Sequence, residues 1–400
     1  MKSFNISRRR MARNLGLGAA ALCLLGRSLS AQNGEETLVI PKEANPASVI
    51  PVAVTGFSGE VDQVVRFDLE VLGCEIVPPD RAVYLVQGSN QGNVQGALLD
   101  ARTKNSLLAK AYTGGTLRAQ AHAFANDVIL SLRGTKPIFH TQIAFKADRG
   151  NSREIYVSDF DGHNPVAITR DNSIVAAPCW RPGTRILYYN SYKEGFPAIY
   201  MHDLNAGIRK PVARHPGSNI SPAVAPDGKL ALILSKGGNP NLYVADADGQ
   251  NPRRLTNSRE GESSPCWSPD GKKICYASRQ EGGRGLYVVD VASGQIRRLR
   301  TALVNNATEP DWSPDGKWIA FTTQTGPNSF EVCVIPAEGG EAIRLAPGED
   351  PSWAPNSRTL AIARRTANGN RVLSLLDVPT KRVKDAHQVG GSASQPSWAR

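Results

Sequence analysis

One stretch, Ser264-Pro265-Cys266-Trp267-Ser268-Pro269-Asp270-Gly271-Lys272, returns in variant form along the C-terminal two thirds of the chain. Its copies start at Ala177-Pro178, Ser221-Pro222, Glu309-Pro310, Asp350-Pro351 and Gln395-Pro396, and the positions equivalent to Trp267 (180, 224, 267, 312, 353 and 398) lie 41 to 45 residues apart. A period of that length fits one four-stranded unit and marks a propeller rather than a helical array. Six copies predict six blades.

The chemistry of one unit supports this. Proline presets φ for a turn, aspartate caps locally, and glycine takes the left-handed conformation that restarts a strand. Ile274-Cys275-Tyr276-Ala277-Ser278 and Trp318-Ile319-Ala320-Phe321-Thr322 read as strands, as do Leu286-Tyr287-Val288-Val289-Asp290 and the short Arg298-Leu299. One meander cannot bury both its faces, so six must pack around an axis. The ends complement each other: Ile143-Ala144-Phe145 lacks a preceding anchor, and Pro396 to Trp398 is an anchor with nothing after it. Pairing of these two segments is expected to close the ring.

Residues 1–31 carry six basic residues and no acid around the apolar run Leu15 to Leu25, which predicts a cleaved signal peptide. Ser7-Arg8-Arg9-Arg10-Met11 resembles a twin-arginine signal; the ordinary secretory (Sec) route is the alternative. Without the leader, 41 basic residues face 36 acidic ones, so the +11 of the full chain mostly disappears. That removes the main argument for nucleic-acid binding, and the remaining Lys and Arg read as solvated residues of blade turns. Residues 32–45 read as a flexible mature N-terminus.

A small α/β domain is expected over 46–135, ahead of a propeller at 136–400. Val49 to Phe57 reads as a strand; Val61, Val64, Val65, Leu69 and Leu72 recur at helical spacing between Ser58 and Gly73. Strands are expected at 83–87, 94–99 and 106–112. Leu117, Ala121, Phe124, Ala125, Val128, Ile129 and Leu132 form a second apolar stripe, flanked by Thr116 and Gly134. The fold class is mainly β: a six-bladed β-propeller preceded by a small α/β domain.

These pieces resemble the TolB family. The resemblance rests on the leader and small domain, on Phe139-His140-Thr141-Gln142-Ile143-Ala144-Phe145, on Val157-Ser158-Asp159-Phe160-Asp161-Gly162-His163-Asn164, and on the Pro-x-Trp-Ser-Pro-Asp-Gly anchors. It implies a periplasmic monomer of the Tol-Pal system, with no membrane span. The peptidoglycan-associated lipoprotein would be its partner, TolA would be contacted through the mature N-terminus, and the role would lie in envelope integrity and cell division. The chain departs from the family at Pro78 to Val83, where a longer helical insertion is usual, and in anchors carrying Val224 or Asn356-Ser357.

No catalytic, cofactor or metal residues are assigned. The histidines (122, 140, 163, 202, 215, 387) are dispersed, without metal-type spacing, a Gly-x-Ser-x-Gly elbow or a phosphate loop. Asp159, Asp161, Asp246, Asp248, Asp270, Asp290 and Asp315 read as turn residues rather than calcium ligands, and the repeated tryptophans as inter-blade packing. An envelope propeller enzyme acting on peptide or carbohydrate, and a stand-alone sensor, are the rival readings.

Five cysteines follow the leader: 74, 179, 266, 275 and 333. A three-residue Pro269-Asp270-Gly271 loop would set Cys266 opposite Ile274, which argues against a Cys266–Cys275 bridge, whereas a two-residue loop would reverse that conclusion; free buried thiols are expected. The functional candidates are the loops feeding each innermost strand. Ser218, Asn219, Ser221, Glu262, Ser263, Ser264, Asn306, Thr308, Glu309, Glu349 and Asp350 would form an acceptor-rich, partner-binding rim at one mouth of the channel.

Overall fold

The computed structural model describes residues 47–149, 152–280, 283–302, 304–387 and 390–400. The expected leader and flexible tail lie outside them. The first apolar alternation forms β1 (Ile50–Thr55), and the helical stripe after it forms α1 (Gly59–Val71), with Val61, Val64, Val65 and Leu69 buried. Ser58 precedes α1, but its side chain does not cap the helix; its N–H and hydroxyl both bond Asn90 Oδ1. A strand too short for any periodicity to reveal, β2 (Cys74–Ile76), follows Gly73 and pairs parallel to β1. The sheet is completed by β3 (Tyr84–Ser89), β4 (Val94–Asp100) and β5 (Ser106–Tyr112), in the order β2-β1-β3-β4-β5.

The second stripe forms α2 (Leu117–Arg133). Thr116 accepts the Ala119 N–H at 3.2 Å and Gly134 ends the helix in the left-handed conformation, so both termini are satisfied by the residues flanking the stripe. Phe124 of α2 lies so close over β4 that a Cβ on Gly96 would come within 2.4 Å of its ring. Glycine at that point sets the helix–sheet distance.

Blade 1 begins with β6 (Gln142–Arg149), β7 (Ser152–Asp159) and β8 (Val166–Ala167). Its innermost strand is the chain's last, Ser392–Trp398, which pairs antiparallel to β6 with Ser397 opposite Ala144 and Trp398 opposite Ile143. Five further four-stranded sheets, led by Val175–Trp180, Asn219–Val224, Glu262–Trp267, Ala307–Trp312 and Glu349–Trp353, are blades 2 to 6. Their innermost strands contact one another in a ring. The anchor tryptophans are buried between blades: Trp180, Trp267 and Trp353 donate Nε1–H to the carbonyls of Ser397, Ala223 and Asp311 in the preceding blade at 3.1–3.2 Å. Each indole thus packs and hydrogen-bonds its neighbour.

Two expectations need correction. In blade 4, Ser268 N–H donates to Lys273 O, and Cys266 stands opposite Cys275. Lys272 belongs to the turn because Asp270 Oδ1 accepts its N–H, so a three-residue loop undercounts by one. The two thiols, like those of Cys74, Cys179 and Cys333, are unbridged. Nor are the basic residues simply solvated turn residues. Arg253 and Arg297, on outermost strands, donate to Val291 O and Ala337 O of the next blade, and Arg209 makes a bidentate pair with Asp171.

The α/β domain is seated on blades 6 and 1. Val65, Leu69, Phe124 and Ile129 share one apolar core with Phe145, Leu373, Leu375 and Trp398. Lys384 Nζ reaches Glu70 at 2.5 Å and Arg382 reaches Glu75 at 3.4 Å across the same seam.

Candidate partner-binding channel

Every innermost strand breaks its ladder at the same place, where the residue before the anchor proline is squeezed out as a bulge. All six bulge residues adopt positive φ: Ala177 (52°), Ser221 (54°), Ser264 (50°), Glu309 (53°), Asp350 (56°) and Gln395 (52°). Left-handed backbone in non-glycine residues is uncommon and clusters where structure serves function. Here the bulge turns six side chains into the central channel, whose walls are these residues and the anchor segments that follow, around a cavity of about 260 Å³.

Some ring side chains serve the next blade. Glu309 Oε2 accepts the Asp350 N–H at 3.1 Å, Asp350 Oδ2 the Gln395 N–H at 3.0 Å, and Gln395 Oε1 the Ala177 N–H at 2.9 Å. One level deeper, Asp311 Oδ2 accepts the Trp353 N–H, Ser352 Oγ that of Trp398 and Ser397 Oγ that of Trp180. Polar side chains of one blade therefore satisfy backbone N–H groups of the next, both at the bulges and on the strand that follows them.

The channel is acidic. Burial, reinforced by the charge of Glu309, raises Asp350 well above the ordinary carboxylate range, against the Gln395 N–H that favours its charged form. Burial also raises Asp311, although the Arg400 guanidinium pairs with it. Arg400 additionally donates to Trp353 O and Trp312 O, both at 3.1 Å, and so ties blades 5 and 6 at the channel wall.

Of the sequence-derived rim, Ser221, Ser264, Glu309 and Asp350 line the channel. Asn219 is fully buried and spends its amide on His215, Gly217 and Pro197 carbonyls; Glu262 accepts from Thr256; Glu349 is paired with Arg365 and Arg371. These three brace the loops from behind. Ser218 N–H donates to Ser235, Ser263 and Thr308 are half-buried ladder residues, and Asn306 lies with Arg279, Arg284 and Gln324 around a separate surface hollow. Sequence reasoning misses Ala177 and Gln395, which the shared position before proline would have included. It also treats the histidines as dispersed, whereas the rings of His163 and His387 stack at 4.3 Å beside Arg118.

Among the described residues, no group of three or more His, Cys, Asp or Glu is arranged to hold a metal, and no helix is long and apolar enough to cross a membrane.

Architecture and channel together define a six-bladed β-propeller with an N-terminal α/β domain and an inward-facing ring of six residues, five of them polar. A family model described as TolB beta propeller domain matches residues 130–400, and the chain belongs to that family. It is 36% identical over 187 residues to the protein TolB homolog of Chlorobium chlorochromatii, covering 46% of this chain and 42% of that one. It is 29% identical over 305 residues to the Tol-Pal system protein TolB of Bordetella pertussis, covering 68% and 70%. The match to the Chlorobium relative thus spans less than half of that protein. The crystal structure of TolB from Acinetobacter baumannii superimposes with a TM-score of 0.80 at 23% identity, covering 89% of this chain and 98% of that one, which shows a shared fold.

Proposed function

We propose that this chain is a non-catalytic, periplasmic component of the Tol-Pal envelope system that docks a peptidoglycan-associated lipoprotein over the channel mouth and so supports outer-membrane integrity and cell division. The observation that carries this is the ring of six bulge residues, held in a left-handed backbone and aimed at the channel. A structural role alone needs the glutamate, aspartate and glutamine that bridge blades. The serines at 221 and 264 leave part of the ring open to a partner.

The relatives named as Tol-Pal proteins support the same reading. An acceptor-rich ring fits a partner that presents donors, either lysine and arginine or free backbone N–H groups. Contact with TolA through residues 32–45 follows from the family resemblance and is part of this proposal.

The test is calorimetric titration of the chain with the periplasmic domain of the same organism's peptidoglycan-associated lipoprotein. Ser221→Arg with Ser264→Arg should abolish binding while the circular dichroism spectrum is unchanged. A well-folded wild type that does not bind would overturn the assignment.

A further inference from the structure

The seam between the α/β domain and the propeller buries a cluster of charged and titratable groups that the channel does not use. His122 of α2 is buried, and its Nδ1 lies 2.7 Å from Oδ2 of Asp68 on α1, itself fully buried. Across the seam, Asp161 in the β7–β8 turn places Oδ2 3.6 Å from His122 Nε2 and pairs with Arg118. Among the described residues, neither Asp68 Oδ1 nor His122 Nε2 has a hydrogen-bond partner. Phe139 and Phe160 pack against the His122 ring.

The turn is fixed from the other side as well. Asp161 O accepts the His387 N–H at 2.7 Å, and a Cβ on Gly162 would come within 2.3 Å of His387 O. Arg118 also reaches Glu60 of α1 at 3.1 Å and His163 Nδ1 at 2.7 Å. A guanidinium can only donate, so the Arg118 contact needs His163 Nδ1 unprotonated, while the same nitrogen lies 3.2 Å from Asp161 Oδ2, to which it would donate when protonated. Three elements thus converge: Glu60 and Asp68 from α1, Arg118 and His122 from α2, and Asp161 and His163 from the turn, backed by His387. His140, farther off, also senses the charge of His122.

We propose that the proton shared between His122, Asp68 and Asp161 latches the α/β domain to the propeller, so that its loss loosens the seam. With His122 charged, two cations face two buried carboxylates. Without it, Arg118 alone must serve both. Burial lowers the affinity of His122 for its proton, but the carboxylates of Asp68 and Asp161 outweigh burial and keep it protonated above the usual histidine value. Burial pushes Asp68 up to about 6 against the pull of His122.

Both shifts carry one sign. A raised histidine contributes stability that is complete below its unfolded value near 6.5 and disappears as pH rises through the folded one. Raised Asp68 likewise favours the closed seam toward acid. His163 acts in opposition: burial and Arg118 lower its affinity, despite Asp161, so its protonation in acid costs the Arg118 contact. The latch therefore opens on the alkaline side, with the acid side blunted.

The experiment is a histidine-ring NMR titration of the chain, with hydrogen exchange of α2 measured at pH 6 and pH 9 after correction for intrinsic rates. The His122 signal, assigned by its absence in His122→Gln, should titrate above 6.5, and α2 opening should increase by up to about tenfold per pH unit through that transition. His122→Gln should show a clearly smaller change between the two pH values, the part that remains belonging to Asp68. If that variant does not fold, Asp161→Asn should lower the His122 midpoint instead. A His122 midpoint at or below 6.5, or α2 exchange with no pH dependence in the wild type, would overturn the latch.

Discussion

Asp350 accepts the backbone N–H of Gln395 at 3.0 Å, joining the left-handed bulge of blade 6 to that of blade 1, where the first and last parts of the chain meet. The same carboxyl group is half-buried beside Glu309, so one side chain both closes the ring and carries a repulsion. Asn at this position keeps the acceptor and removes the charge. Because the folded-state pKa of Asp350 is raised, the stability linked to its proton is complete below the unfolded value near 3.8 and is lost as pH rises through the folded one. Asp350→Asn should therefore raise unfolding stability at pH 7 and flatten its pH dependence. Asp350→Leu, which strands the Gln395 N–H, should lower it by about 1–3 kcal/mol. Urea denaturation at pH 5 and pH 8 distinguishes them.

Arg400 holds Asp311 and two tryptophan carbonyls in one fan of donors. Arg400→Ala should cost about 2–3 kcal/mol, less than for a fully enclosed pair because the guanidinium is partly exposed. Adding Asp311→Asn should recover a substantial part of that loss. Additive effects in the double-mutant cycle would contradict this coupling.

Gly162 and Gly183 both have positive φ, but only Gly162 faces backbone, with His387 O 2.3 Å from its would-be Cβ. Gly183→Ala pays for conformational strain alone, about 1 kcal/mol. Gly162→Ala must also displace the turn that carries Asp161, and should cost at least twice as much in thermal or chemical unfolding.

The propeller was legible because each anchor repeats within one blade, and closure was legible because Ile143 and Trp398 belong to complementary fragments of that repeat. Local signals also sufficed for α2, whose stripe, Thr116 and Gly134 are contiguous. Tertiary effects escaped. Lys272 lies in its turn, with its N–H held by Asp270 and Ser268 paired to Lys273, and that extra residue moves Cys266 opposite Cys275. Ala177 shares the bulge geometry but no polar signature. The Asp68–His122 and Arg118–Asp161 pairs are 54 and 43 residues apart and span three elements, so no spacing rule reveals them.

The thiols give a fourth prediction. Burial pushes Cys74 and Cys333 up to about 12 and Cys179 up to about 11, so few thiolates exist at pH 8. A colorimetric disulfide reagent should react with these three slowly in the native protein and rapidly in denaturant. Cys179, the least buried of them, should react first.

Hydrogen exchange of the chain with and without the lipoprotein domain tests docking at the channel mouth most directly. New protection should fall on the loops leading to Ser221, Ser264, Glu309 and Asp350, with the outer strands of the blades unchanged. Protection confined to the α/β domain or to the outer strands would contradict docking at the mouth.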